Sequence, residues 1–276
     1  MIVDTHIEKI IEKQKHTCVV VDTSFSYLPD KMRAGANSLE DAAEAILTFN
    51  RGIIDAVSDI VPSVKVQIAY YEQYGTAGLR AFYETLRYAK EQGLVVIPDA
   101  KRNDIGATAS QYAAAFLGET NVGENTFSAF PSDFLTVNGY LGSDGITPFV
   151  EQCQKHDKGI FVLVKTSNPS SGELQNLKLE DGRTVYECMG DMVERWGEGT
   201  LGKYGYSCVV AVRGATYPQT DKVLRTRPTH TSVPVPVYGP HGAHAKWHPN
   251  LSYAHVLGAI ANTSPHVLAA HPTPAD

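Results

Sequence analysis

Short apolar runs alternate along this chain with longer stretches in which apolar residues recur every three or four positions. The runs at 17–21, 63–69, 94–98, 134–137, 159–164, 207–212, 231–235 and 256–261 read as eight strands. The intervening stretches at 78–92, 107–116 and 184–197, and the one beginning Ser38-Leu-Glu-Asp-Ala-Ala-Glu-Ala-Ile-Leu, read as helices. Ser38 is placed to cap its helix, although Asp41 at the third helical position is a weak capping-box partner. Gly93 stands where a helix-terminating glycine belongs, just before the third strand. Eight β-then-α units with no linker between them predict an α/β protein, a (β/α)8 barrel. It is expected to form one domain over 1–276, with an irregular tail over 266–276. An open, doubly wound sheet is the structural alternative, which alternation alone separates poorly.

The polar residues sharpen this picture. Asp22, Lys65, Asp99, Lys101, Asn138, Thr166 and Gly214 fall at or just past the ends of expected strands. The C-terminal rim of a barrel is where its active site lies. Lys65 is expected to end the second strand. The densest cluster, Asp99-Ala-Lys101-Arg-Asn-Asp104-Ile-Gly, joins the third strand to the next helix. On an extended strand end Asp99 and Lys101, two apart, point to the same side. Acids and a base crowded at the mouth of an apolar strand are costly to desolvate unless they pair, and such clusters are often functional. The plainer alternative is a solvated loop with an incidental ion pair.

Composition narrows the function classes. The chain has 276 residues, 43% of them hydrophobic, enough for one sizeable core. A net charge of -6 without a Lys/Arg cluster argues against nucleic acid as a partner. No stretch approaches the roughly 18 apolar residues of a membrane helix, and the first residues, with their acids, do not read as a signal peptide. Cys18, Cys153, Cys188 and Cys208 are widely spaced with no C-x-x-C. Free thiols, buried at Cys18 and Cys208, are expected, with the cytoplasm as the compartment. His241, His244 and His248 have spacings that a helical metal site could use, but Pro240 and Pro249 favour loop histidines, and no metal site is expected.

The segment Asp99-Ala-Lys101-Arg-Asn-Asp104-Ile-Gly-Ala-Thr108 closely resembles the signature of the orotidine 5'-phosphate decarboxylase family, in the branch with longer chains common in bacteria. The resemblance continues through Val64–Gly75, Thr136-Val-Asn138-Gly-Tyr-Leu-Gly142, Val164-Lys-Thr166-Ser167-Asn168-Pro169 and Gly214-Ala-Thr-Tyr-Pro218, in consistent order. It implies decarboxylation of orotidine 5'-phosphate to uridine 5'-phosphate, a step of de novo pyrimidine biosynthesis, without a cofactor. It implies that Lys65, Asp99, Lys101 and Asp104 form a lysine–aspartate array, with Lys101 as proton donor and Asp104 reaching in from the second subunit of a homodimer. It further implies that Asp22 binds the ribose, that Thr108 reaches the partner's ligand and that Thr166, Ser167 and Asn168 lie near the pyrimidine edge. Asn138, Tyr238, Gly239 and His241 complete the expected substrate contacts. The chemistry suits such an array: loss of CO2 leaves a carbanion in the ring plane that needs electrostatic stabilisation and then a proton. Opposite charge beside an ammonium favours its ionised form.

Beyond about residue 212 the match frays. His241 stands where the family has a glutamine, and Pro265 where it has the arginine that grips the phosphate. Arg213 replaces an apolar residue, and seven of the ten histidines lie beyond residue 227. Three readings stay open at this point: weakened phosphate binding, a barrel that has lost activity, or a tail sequence that is not the protein's own. Two other functions also compete. A related sugar-phosphate decarboxylase or aldolase would use magnesium and place an acidic ligand where this chain has Lys65, a cation that opposes metal binding. A non-catalytic phosphate-ligand binder would keep only the barrel.

Overall fold

The computed structural model describes residues 1–214 together with the strands Val235–Tyr238 and Ala261–Thr263. In chain order the elements are α1 (Ile2–Lys13), β1 (Thr17–Val21), α2 (Asp30–Arg33), α3 (Leu39–Val57), β2 (Ser63–Gln67), α4 (Ala69–Glu72), α5 (Gly75–Glu91) and β3 (Val95–Asp99). There follow α6 (Gly106–Leu117), β4 (Thr120–Val122), β5 (Asn125–Phe127), β6 (Phe134–Val137), α7 (Ser143–His156), β7 (Gly159–Lys165), α8 (Gly172–Gln175), α9 (Val185–Trp196), β8 (Val209–Arg213), β9 (Val235–Tyr238) and β10 (Ala261–Thr263).

Eight of these strands run parallel in sequential order. One sheet has the order β3–β2–β1–β10–β9 and a second β6–β7–β8. The last strand pairs with the first, through Cys18 and Asn262, which is how a singly wound sheet closes on itself. The two sheets meet where Arg102, past the end of β3, bridges in parallel to Val137 of β6. The Asp133 amide also donates to the Val96 carbonyl at 2.9 Å. The architecture is therefore the (β/α)8 barrel rather than the open sheet.

Alternation along the strands divides the core in two. Cys18, Val95, Ile97, Phe134, Phe161 and Val210 pack together inside the barrel. Their neighbours Val19, Val64, Val96, Leu135, Val162 and Val209 belong to the larger core under the helices. α1, which the sequence pattern did not single out, plugs the N-terminal end. Its Ile2 joins the inner cluster; its His6 bonds Ser63 at 3.2 Å and sits 5.9 Å from the Phe134 ring.

The predicted elements need modest correction. β1 and β6 coincide with expectation, whereas β2 stops at Gln67 and β3 and β8 extend to Asp99 and Arg213. The described parts of β9 and β10 begin where the expected strands end; 231–234 and 256–260 lie outside the described residues, as do 266–276. Asp41 is a full capping-box partner: Ser38 Oγ accepts from its amide at 3.0 Å, and its carboxylate accepts from Ser38 N at 3.1 Å. Gly93 follows α5 with φ +77, as its expected role requires. All four cysteines are free, and Cys18, Cys153 and Cys208 are buried. Among the described residues, no helix is long and apolar enough to cross a membrane.

Candidate active site

The inward-facing residues change character toward the C-terminal rim. Deeper positions are apolar apart from Ser63, but Lys65, Gln67, Asp99 and Thr136 occupy the upper layer. Strand register explains how they meet. Lys65 sits opposite Ile97, and Gln67 opposite Asp99. The lysine chain therefore climbs one pleat repeat, about 6.6 Å, to reach the carboxylate.

Asp99 is the hub. Its Oδ2 accepts from Lys65 Nζ at 2.5 Å and from Gln67 Nε2 at 3.1 Å. Its Oδ1 accepts from Lys101 Nζ at 2.6 Å and from Thr136 Oγ1 at 2.8 Å. Four donors, two of them cationic, converge on one buried carboxylate. Burial alone would raise its pKa, but Lys65 and Lys101 outweigh it and hold Asp99 well below the ordinary carboxylate value. For Lys65, burial disfavours the ammonium, while Asp99 and Asp22 more than restore it and push its pKa above the usual lysine value.

Asp22 follows β1 and approaches Lys65 Nζ to 3.6 Å. Its buried Oδ1 accepts no hydrogen bond from the protein. Desolvation dominates there, against the attraction of Lys65, and raises the Asp22 pKa.

Lys101 reaches Asp99 differently from expectation. It is not extended but left-handed, with φ 47, a conformation that costs an L-residue about 1–2 kcal/mol. The other described non-glycine residues with positive φ, Gln14 and Asp157, are helix C-caps. The Lys101 amide donates to Thr136 Oγ1 at 3.0 Å, which anchors the turn. The Lys101 side chain is 45% exposed and so faces the mouth of the barrel.

Within this chain, Asp104 does not join the cluster. Its Oδ1 accepts from the Ile105 amide at 2.8 Å, just before α6, and Thr108 on that helix is exposed. Asn138 follows β6, and its Oδ1 accepts from the Tyr140 amide at 3.0 Å. Thr166, Ser167 and Asn168 leave the end of β7 as a bonded turn. The Gln175 side chain accepts from the Thr166 amide at 3.0 Å and donates to its hydroxyl at 2.8 Å. Thr166 Oγ1 in turn donates to Asn168 Oδ1 at 2.6 Å. Gly214, after β8, packs on this turn so closely that a Cβ would sit 3.0 Å from Ser167 N. Arg213 is buried and pairs in register with Lys165. Tyr238 ends β9, with its backbone opposite Thr263. The Tyr238 side chain, Gly239, His241, His244, His248 and Pro265 lie outside the described residues.

Sequence reasoning gave Thr136 and Gln67 no role at the site. Both share the inward parity of their strands, Thr136 with Phe134 and Gln67 with Lys65, and that parity is the signal that finds them. Among the described residues, no cluster of three or more His, Cys, Asp or Glu side chains could hold a metal ion.

A closed eight-stranded barrel with a lysine–aspartate–lysine array at its C-terminal rim defines an enzyme of the (β/α)8 class, built to stabilise charge on a small polar substrate. Comparison with known proteins narrows the class. The model of the orotidine 5'-phosphate decarboxylase / HUMPS family matches residues 40–222. The chain is 42% identical over 257 residues to the orotidine 5'-phosphate decarboxylase of Rhodopirellula baltica, covering 92% of this chain and 84% of that protein. It is 39% identical over 272 residues to the Clostridium novyi protein of the same name, covering 98% and 90%. Its fold matches a chain from Streptomyces avermitilis, described provisionally as the same enzyme, with a TM-score of 0.80 at 28% identity, covering 99% and 89%. It also matches the Leishmania donovani OMP decarboxylase with a TM-score of 0.69 at 27% identity, covering 99% and 92%. The chain belongs to the orotidine 5'-phosphate decarboxylase / HUMPS family.

Proposed function

We propose that this protein decarboxylates orotidine 5'-phosphate to uridine 5'-phosphate in de novo pyrimidine biosynthesis. The observation that carries this reading is the suspension of Asp99 between Lys65 and Lys101 at the rim. Departure of CO2 leaves an electron pair on C6 in the plane of the ring, where the π system delocalises it poorly. A fixed ammonium is the complement such charge needs, because its dipole and charge are set before the reaction begins. Lys101 is the cation at the open side of the array, and in this role it stabilises the carbanion and then protonates C6. Asp99 holds Lys101 in place, and Lys65 neutralises Asp99 from beneath.

The remaining roles follow from position. Asp22, whose buried Oδ1 lies 3.6 Å from Lys65 Nζ but accepts no hydrogen bond from the protein, is suited to accept one from a ribose hydroxyl. Thr166, Ser167 and Asn168 offer polar groups toward the pyrimidine edge. Asn138, Tyr238, Gly239 and His241 are assigned to the remainder of the ligand. Asp104 and Thr108 are assigned to the active site of a second copy, which makes the functional unit a homodimer. Asp104 makes no ion pair with Lys65 or Lys101 in its own chain among the described residues, in keeping with that assignment. A single barrel domain and a cytoplasmic compartment belong to the same reading.

The magnesium-dependent alternative requires an acid where Lys65 stands. Lys65 already neutralises Asp99, and an ammonium at that depth repels a divalent ion. The test is release of labelled CO2 from carboxyl-labelled orotidine 5'-phosphate in the presence of excess chelator. Undiminished release supports the proposal; release that depends on added magnesium contradicts it.

A further inference from the structure

The hydroxyl of Thr136 joins two parts of the array that no single strand connects. It donates to Asp99 Oδ1 at 2.8 Å and accepts from the Lys101 backbone amide at 3.0 Å. Thr136 lies on β6 and is buried, whereas Asp99 and the Lys101 turn belong to β3 and the segment after it. The contact crosses the seam between the two hydrogen-bonded sheets, beside the bridge from Arg102 to Val137. Arg102 N donates to the Thr136 carbonyl at 3.2 Å, and the Asn138 amide donates to the Arg102 carbonyl at 2.9 Å. Backbone pairing therefore fixes the position of Thr136 relative to residue 102, and the hydroxyl fixes residue 101.

Lys101 needs this anchor. Its left-handed backbone, φ 47, is the feature that turns the side chain back onto Asp99. A lysine has no intrinsic preference for that region. Without an acceptor for its amide, the turn has less reason to persist. The same hydroxyl proton meets the oxygen of Asp99 that receives Lys101 Nζ, so one side chain sets both ends of the ion pair. Valine has the shape of threonine but offers neither function.

We infer that Thr136 is a positioning residue for the decarboxylation, setting the Asp99–Lys101 pair through its hydroxyl; the inference rests on the function proposed above. Its contribution falls on delivery of charge and proton at C6, not on holding the ribose or phosphate. Misplacement of a reacting group by about 1 Å can cost about 10²-fold in rate.

The experiment compares wild type, Thr136→Val and Thr136→Ser on orotidine 5'-phosphate at temperatures where each is folded by circular dichroism. The valine variant is expected to lose about 10²-fold in kcat with KM changed by less than about 3-fold, and the serine variant to stay within about 3-fold of wild type in both. A purely structural role would lower the unfolding temperature without separating kcat from KM. Thr136→Ala replaces the valine variant if that one does not fold. A valine variant with wild-type kcat, a loss confined to KM, or a folded serine variant reduced about 10²-fold overturns the inference. An active wild type with an unaffected valine variant contradicts this inference alone. A wild type without turnover overturns the proposed function and this inference together.

Discussion

Lys65 Nζ lies 2.5 Å from Asp99 Oδ2 although the two residues are not opposite each other in the β2–β3 register. The lysine comes from one pleat deeper in the barrel. Its charge is thereby delivered from below, and the upper face of Asp99 stays free for Lys101. A lysine level with Asp99 would compete with Lys101 for the same space. This vertical offset makes a three-member array possible on two adjacent strands.

That pairing gives Asp99 a defined pH signature. Its folded-state pKa lies below the ordinary carboxylate value. Its contribution to stability is therefore complete above the unfolded value near 3.9 and is lost as pH falls through the folded one. Asp99→Asn is expected to cost about 3–5 kcal/mol at neutral pH, because it strands a buried ammonium. The difference from wild type should hold constant down to about pH 5 and shrink only below about pH 4. Denaturant unfolding of both proteins across pH 3–8 is the measurement; a difference that already disappears between pH 7 and 5 would contradict the assigned ion pairs.

Asp22 should behave in the opposite sense. Its folded-state pKa lies above the ordinary value because burial outweighs the attraction of Lys65. Ionised Asp22 therefore opposes folding above the folded pKa, and the penalty vanishes as pH falls below the unfolded one. Asp22→Asn is expected to be at least as stable as wild type at pH 7, yet to bind uridine 5'-phosphate about 10-fold or more weakly, as befits a lost charge-assisted hydrogen bond. Unfolding curves and calorimetric titration give the two quantities. A destabilised variant with unchanged affinity would show that Asp22 serves the fold instead of the ligand.

Shared active sites are tested by mixing. Lys101→Ala and Asp104→Ala chains, each inactive alone, should regain about a quarter of wild-type activity per total site when refolded together in equal amounts. Random pairing makes half the dimers hybrid, and each hybrid holds one intact site of its two. Confirmed hybrids without recovery would place Asp104 outside the partner's site.

The barrel and the cluster of Lys65, Asp99 and Lys101 were legible in the sequence for physical reasons. Strands buried on both faces announce themselves as apolar runs, which is why β1 and β6 match their expected bounds. The β4–β5 hairpin escaped because all six of its residues are exposed, leaving no burial pattern to read. α1 escaped because its role, sealing the barrel floor with Ile2 and His6, depends on tertiary contacts. The left-handed turn at Lys101 was illegible because lysine carries no signal for positive φ; the hydroxyl that anchors it comes from position 136, far along the chain. Asp104 was legible as an acid of the motif, but its hydrogen bond to the Ile105 amide just before α6 was not, because that contact depends on the local turn.

In the proposed reaction Lys101 supplies both charge and proton to C6. The most direct measurement is kcat for orotidine 5'-phosphate decarboxylation by wild type and by Lys101→Ala, with folding of both verified. The wild type is expected to turn over without a cofactor and the variant to lose at least about 10³-fold, since an electrostatic partner and a general acid disappear together. A folded Lys101→Ala protein that turns over at the wild-type rate would contradict it.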